Sequence, residues 1–172
     1  MTLPSDEILL AQFAKGDREA FDRLARRYTG PLDAYFRRRL PDDGRGEELR
    51  QETLLALYAI LPSYREVGRF RSLVFSIAYR KLVSSRRGEM PRSSFPDNAP
   101  AAPRTVDAFE VREAVARLPE GLREALLLTR FEGLSAAEAG EVLDCSADAV
   151  RARVCRATAV LAKRFMESGR MK

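Results

Sequence analysis

Histidine is absent from all 172 residues, and cysteine occurs only twice, at Cys145 and Cys155. Without an imidazole there is no His-based acid/base catalysis, no Ser-His triad and no Cys/His zinc site. One cysteine precedes a predicted helix and the other falls in its third turn, a placement that disfavours a disulfide, so the chain reads as reduced and cytoplasmic. No apolar run approaches the roughly 20 residues of a membrane span, which predicts no membrane insertion. The N-terminus, MTLPSDEILLAQFAKGD, has no basic leader and is broken by charge, unlike a signal peptide. No stretch of alternating β-branched residues is long enough to argue for a sheet. No nucleophile-base pair or metal constellation stands out, so the reading is a non-enzyme with no cofactor.

What is present is charge, unevenly spread. The chain carries 30 basic and 25 acidic side chains, a formal net charge of +5, which favours a polyanionic partner. From Leu61 to Phe95 eight basic residues face two acidic ones, and from Ser146 to Lys172 seven face two. Between Pro41 and Glu52 the sign reverses, with five acidic residues against Arg45 and Arg50. Two basic surfaces and one acidic surface point to more than one partner.

Helical periodicity dominates, and the expected fold is all-α, with two small helical domains joined by a Pro-rich linker. Ser5 or Asp6 caps a first helix, and Gly16-Asp17 ends it and caps a second that carries Phe21, Leu24 and Tyr28. Pro31 is expected to open a third helix, and PDDGRG (41–46) to form a loop. Long helices follow over about 47–61 and 70–87. The segment GEMPRSSFPDNAPAAPRT (88–105) holds four of the nine prolines and almost no apolar period. The expected boundaries are therefore a domain over 1–88, a linker over 89–106 and a domain over 107–172. Fully stretched, such a linker reaches at most roughly 60 Å.

In the C-terminal domain, helices are expected from about Asp107 to Arg117 and from Pro119 through LREALLLTRFEG. Ser135 and Glu138 form an S-x-x-E capping box for the helix AAEAGEVL. Asp144-Cys145-Ser146 then makes a short turn into SADAVRARVCRATAVL. Helix, tight turn and a second helix with a basic outer face is the helix-turn-helix pattern. Asp144 stands where glycine is common, but Asp tolerates the left-handed conformation better than most residues. On a helical wheel Val150, Val154, Ala157 and Leu161 make a buried stripe. Ser146, as N-cap, Asp148, Ala149, Ala152 and Arg156 fall on the face open to base edges, with Arg151 and Arg153 on its flanks.

The N-terminal domain holds two further surfaces. On helix 47–61, Leu49, Thr53, Ala56, Leu57 and Ile60 form one stripe, while Leu54, Tyr58 and Leu61 form another that continues through Gln51 and Glu47. The second stripe is either a second buried side of a bundle or a partly polar docking face. The next block, GRFRSLVFSIAYRKLVSSRR (68–87), interleaves cations with aromatics, an arrangement that holds single-stranded DNA by phosphate contact and base stacking. Phe70 and Phe75 are expected in the core. Tyr64 and Tyr79 are the candidates for base contact.

Three blocks, EELRQETLLALY (47–58), residues 68–87, and LPEGLREALLLTRFEGLSAAEAGEVLDCSADAVRARVCRA (118–157), together resemble the extracytoplasmic-function sigma factors of bacterial RNA polymerase, a branch of the sigma-70 family. Glu48-Leu49-Arg50-Gln51-Glu52 is similar to the family's D-L-x-Q-E motif, with Glu in place of Asp. The resemblance implies that Glu47, Glu48, Gln51, Glu52, Leu54 and Tyr58 dock on the clamp coiled coil of the polymerase β′ subunit. It implies that Tyr64, Arg65, Arg69, Arg71, Tyr79, Arg80, Lys81, Arg86 and Arg87 capture and melt the minus-ten promoter element. It assigns Ser146, Asp148, Ala149, Arg151, Ala152, Arg153 and Arg156 to the minus-thirty-five element. It further implies contact with the β flap and restraint by a separate anti-sigma factor. Where the family commonly has I-A-R-N followed by Asp, this chain has Ile77-Ala78-Tyr79-Arg80 and then Ser84, so no base preference is carried over there. A helix-turn-helix regulator with an N-terminal helical sensing domain is the alternative, and it predicts DNA binding without affinity for core polymerase.

Overall fold

The computed structural model describes residues 4–40, 43–65, 68–87 and 108–170, and the regular structure among the described residues is all helical, with no strand. The chain divides into two compact units, residues 1–95 and 96–172. The linker expected over 89–106 lies outside the described residues.

The first unit holds α1 (Asp6–Ala14), α2 (Arg18–Arg37), α3 (Asp43–Ile60), a 3-10 turn (Leu61–Ser63) and α4 (Phe70–Arg87). Side-chain caps start the first two helices: Ser5 Oγ accepts from Ile8 N, and Asp17 Oδ1 accepts from Ala20 N. Each satisfies a backbone donor that the helix itself leaves unpaired. α2 packs against α1 and α3, and α3 against α4. The core between them is aromatic, with Tyr28 edge-on to Phe70 at 5.4 Å and Tyr35 beside Phe36 at 5.1 Å and Phe75 at 5.5 Å. Tyr28 donates its hydroxyl to Asp6 Oδ2 at 2.5 Å, which ties α1 to α2. Burial and that acceptor push the phenol well above its ordinary range.

Two sequence expectations are corrected in this unit. Pro31 does not open a new helix; it lies inside α2. An interior proline removes one helical hydrogen bond and crowds the preceding turn. The helix runs through it because Ala20, Leu24, Tyr28, Leu32, Tyr35 and Phe36 bury one continuous stripe on both sides of the proline. Residues 43–46, expected as loop, form the first turn of α3. Gly46 is buried in this turn, where the start of α3 packs on the end of α2 beside Phe36.

The second unit holds α5 (Ala108–Ala116), α6 (Glu120–Arg130), α7 (Ala136–Leu143) and α8 (Ala147–Arg170). α8 is the axis on which α5, α6 and α7 pack. Leu118, Leu126 and Ala157 are the buried centre of one cluster, with Val115, Leu122, Val154 and Leu161 packed round them. The capping box forms in both directions, Glu138 N to Ser135 Oγ at 3.2 Å and Ser135 N to Glu138 Oε2 at 2.7 Å. Asp144 ends α7 in the left-handed conformation, φ 51°, and Ser146 Oγ caps α8 by accepting from Ala149 N at 3.1 Å. Gly140 makes the turn possible. A Cβ at that position would sit 2.5 Å from the Cys145 carbonyl oxygen, too close for any other residue without a backbone shift.

Candidate docking and nucleic-acid surfaces

The exposed face of α3 is divided along its length. Leu49, Thr53 and Leu57 are buried, and Thr53 turns its hydroxyl back to Leu49 O at 2.7 Å. Glu47, Glu48, Gln51 and Glu52 are all exposed. The three carboxylates among them place the charge in the N-terminal half of the helix. The C-terminal half is apolar and open: Leu55 is 70% exposed and Tyr58 42%. Tyr58 rests on Phe13 and Phe21, ring centroids 5.8 and 4.9 Å away, which fixes its ring without covering it. Leu54 is half-buried, and Leu61 is buried in the 3-10 turn rather than continuing the face. Leu55 was absent from both sequence stripes, and its exposure is the strongest apolar feature of this helix.

On α4 and the segment before it, the candidate residues separate into groups. Phe70 and Phe75 are core, as expected. Tyr64 and Tyr79 are half-buried, the Tyr64 ring lying 6.1 Å from Phe70. Arg69, Arg71 and Arg80 are exposed, and Arg71 lies over the Phe75 ring at 5.6 Å. Arg65 is exposed but donates to Pro62 O and Tyr64 O at 2.8 and 2.9 Å, which folds it over its own loop. Arg86 is half-buried and donates to Arg39 O at 3.2 Å, serving the end of α2. The Arg87 side chain lies outside the described residues. Arg80 and Lys81 line a groove of about 480 Å³ between α3 and α4, with Arg45, Glu52, Ser84 and Ser85 at its rim and Leu49, Ala56, Ile60 and Ile77 in its apolar part. Lys81 Nζ stands 3.1 Å from Glu52 Oε2 across that groove.

The three arginines of α8 are not equivalent. Arg156 is exposed on the same face as Asp148 and Ala152, with Ala149 half-buried at its edge. Arg151 is exposed and held to Asp148 at 2.5 Å. Arg153 is half-buried; its Nη1 donates to Cys145 Sγ at 3.4 Å and its guanidinium lies beside Gly121. It braces the turn against α6 instead of flanking an open surface. Cys155 is exposed, and Cys145 intermediate, so the two remain free thiols. Beside this face a groove of about 720 Å³ runs between α6, α7 and α8, lined by Arg130, Leu134, Val150, Val154, Ala159 and Ala162 among others.

Small methyl-bearing side chains next to an exposed guanidinium suit base edges in a major groove, where alanine meets a thymine methyl and arginine meets guanine. An acidic surface ending in open leucine and tyrosine suits a basic, partly apolar protein partner. Among the described residues no cluster of His, Cys, Asp or Glu is arranged to hold a metal ion, and no helix is long and apolar enough to cross a membrane.

The chain is similar to known proteins in sequence and in fold. The family pattern described as sigma-70, region 4, matches residues 108–161. The ECF RNA polymerase sigma factor ShbA of Streptomyces griseus is 35% identical over 87% of this chain and 89% of its own. The ECF RNA polymerase sigma-E factor of Escherichia coli is 30% identical over 89% of this chain and 90% of its own. Among solved structures, CnrH in complex with the cytosolic domain of CnrY superposes with a TM-score of 0.73 at 26% identity, covering 94% of this chain and 97% of that one. The fold is also that of the sigma factor RpoE from Bartonella quintana, solved with the anti-sigma factor NepR, at a TM-score of 0.72 and 22% identity over 85% of this chain and 96% of that one.

Proposed function

This chain belongs to the extracytoplasmic-function sigma factors of bacterial RNA polymerase, and from that premise we propose how its surfaces divide the work. As a sigma factor it joins core polymerase and directs promoter recognition and opening, with promoter DNA and core enzyme as its partners.

We assign polymerase docking to the exposed face of α3, where Glu47, Glu48, Gln51 and Glu52 supply charge and Leu55 and Tyr58 supply apolar area. That face is the observation that carries the reading. Leu55, 70% exposed, supplies apolar area beside Tyr58, whose ring is fixed by Phe13 and Phe21 yet left open as an aromatic anchor for a protein interface. The basic partner surface that complements the acidic half is the β′ clamp coiled coil.

We assign the minus-ten element to Tyr64, Arg69, Arg71, Tyr79, Arg80 and Lys81, with Arg65 and Arg87 alongside. Arg86 is a weaker candidate because it serves Arg39. Here opening comes from differential affinity: a surface that binds unstacked bases and phosphates more tightly than duplex shifts the equilibrium toward separated strands. No chemical step is required of the chain.

The outer face of α8 reads the minus-thirty-five element, with Arg156, Ala152, Ala149 and Asp148 toward base edges, Arg151 toward phosphate and Ser146 as the cap that presents the helix. Arg153 supports this surface from behind. The apolar groove along α8 is the candidate contact for the β flap. A separate anti-sigma protein and a cytoplasmic location complete the proposal.

Mixing the purified chain with core polymerase tests the reading. A stable complex that initiates at discrete promoters supports it, and DNA binding without association to core supports the regulator alternative instead.

A further inference from the structure

Tyr28 is buried in the first unit, its hydroxyl on Asp6 Oδ2 at 2.5 Å and its ring edge-on to Phe70 at 5.4 Å. Phe70 is the first residue of α4; Arg69 and Arg71 on either side of it are exposed, and the Tyr64 ring lies 6.1 Å away. Asp6 is therefore joined, through a phenol and a phenyl ring, to three residues assigned to the minus-ten strand. We propose that Asp6 is a positioning residue for strand capture: by anchoring Tyr28 it sets Phe70, and through Phe70 the places of Tyr64, Arg69 and Arg71.

The anchor is a closed set of contacts. Arg27 donates Nη1 to Asp6 Oδ1 and Nη2 to Pro4 O, so the carboxylate that receives the Tyr28 hydroxyl is itself held. The Asp6 side chain is 19% exposed, and a hydrogen bond to an ionised acceptor is about twice as strong as one between neutral groups. A second ring pair, Tyr35 and Phe75 at 5.5 Å, joins the same two helices further along, both residues fully buried. It holds the body of α4, so loosening Tyr28 releases only the first turn and the Tyr64 ring beside it. Close packing passes such a shift on, because a ring that moves leaves its neighbour unsupported. The polymerase face is supported separately, with Tyr58 resting on Phe13 and Phe21.

The inference rests on the assignment of Tyr64, Arg69 and Arg71 to the minus-ten strand, and the test separates the two. Five full-length proteins are compared: the native chain, Tyr28→Phe, Asp6→Ala, Asp6→Asn and Leu9→Ala. Tyr28→Phe keeps the ring and drops the hydroxyl, and Asp6→Asn keeps an oxygen that accepts from Tyr28. Leu9→Ala opens a cavity under α1, where Leu9 is fully buried, without removing a member of the anchor. Each is assembled with core polymerase and titrated with a short fluorescein-labelled oligothymidylate, core polymerase alone serving as the blank. Core affinity is measured separately by competition without DNA, and all titrations run below the melting temperature of every variant, read by circular dichroism.

Tyr28→Phe and Asp6→Ala are expected to weaken oligothymidylate binding by about three- to tenfold, a partial loss of one stacked base, with core affinity unchanged. Asp6→Asn is expected to stay within about twofold of native, because the hydroxyl keeps its acceptor. Leu9→Ala is expected to melt earlier yet bind the oligonucleotide as the native chain does. Equal weakening in Leu9→Ala marks a general loosening of the unit and overturns the proposal. So does native binding in Tyr28→Phe and Asp6→Ala, or a core affinity that falls in step with the oligonucleotide affinity. If the native chain adds nothing to the binding by core polymerase alone, the strand assignment fails and the positioning role fails with it.

Discussion

Replacing Leu55 by alanine isolates the apolar half of the docking face from the fold that carries it. Full burial of a leucine side chain is worth about 1.5–3 kcal/mol, and Leu55 still has 70% of its surface to lose. Alanine retains only the first carbon of that side chain, so about 1–2 kcal/mol of core affinity should disappear, a weakening of about five- to thirtyfold. The assay is competition between labelled native chain and unlabelled variant for core polymerase at fixed ionic strength. Leu57, two residues along the same helix and 2% exposed, is the internal control. Leu57→Ala opens a cavity and should cost about 2–5 kcal/mol of stability, read as a large drop in melting temperature. Leu55→Ala should leave stability within about 0.5 kcal/mol of native. Unchanged core affinity in Leu55→Ala, or a melting temperature that falls as far as for Leu57→Ala, would refute the docking assignment.

The other expectations concern the second unit. Arg156→Ala should relax preference at the upstream promoter element by about 1–3 kcal/mol, whereas Arg151→Ala should weaken binding across sequences, both measured by competition among point-substituted promoter duplexes. Arg153→Ala should instead lower the melting temperature of the unit, because it loses the brace to Cys145 and α6. Gly140→Ala should destabilise the turn by about 1–3 kcal/mol, since its Cβ would force the backbone at Cys145 to move; thermal unfolding measures it, and a neutral result would contradict the packing described.

Local chemistry was legible in the sequence, and choices made by packing were not. Ser5, Asp17, Ser135 and Ser146 all cap the helices expected of them, because a cap depends on a side chain and a backbone donor three residues away. Asp144 takes the left-handed turn for the same local reason. Pro31 and residues 43–46 misled because their outcome is decided elsewhere, by a stripe continuing to Phe36 and by the packing of α3 against α2. Leu55 was not legible because apolar character in a sequence reads as burial, whereas the fold leaves this leucine 70% exposed. Arginine roles were the least legible. Arg86 and Arg153 look like their neighbours in a charge count, but long side chains reach several ångströms to either side, and only the folded chain shows them turned inward.

The measurement that bears most directly on the central claim is transcription by core polymerase supplemented with the native chain on fragmented genomic DNA of its own source, with the 5′ ends of transcripts mapped. The expected result is a limited set of start sites that depend on the added chain and share two short upstream elements, one near minus ten and one near minus thirty-five. Transcripts without defined starts, or starts unchanged by omitting the chain, would contradict the assignment of this protein as the promoter-selecting subunit.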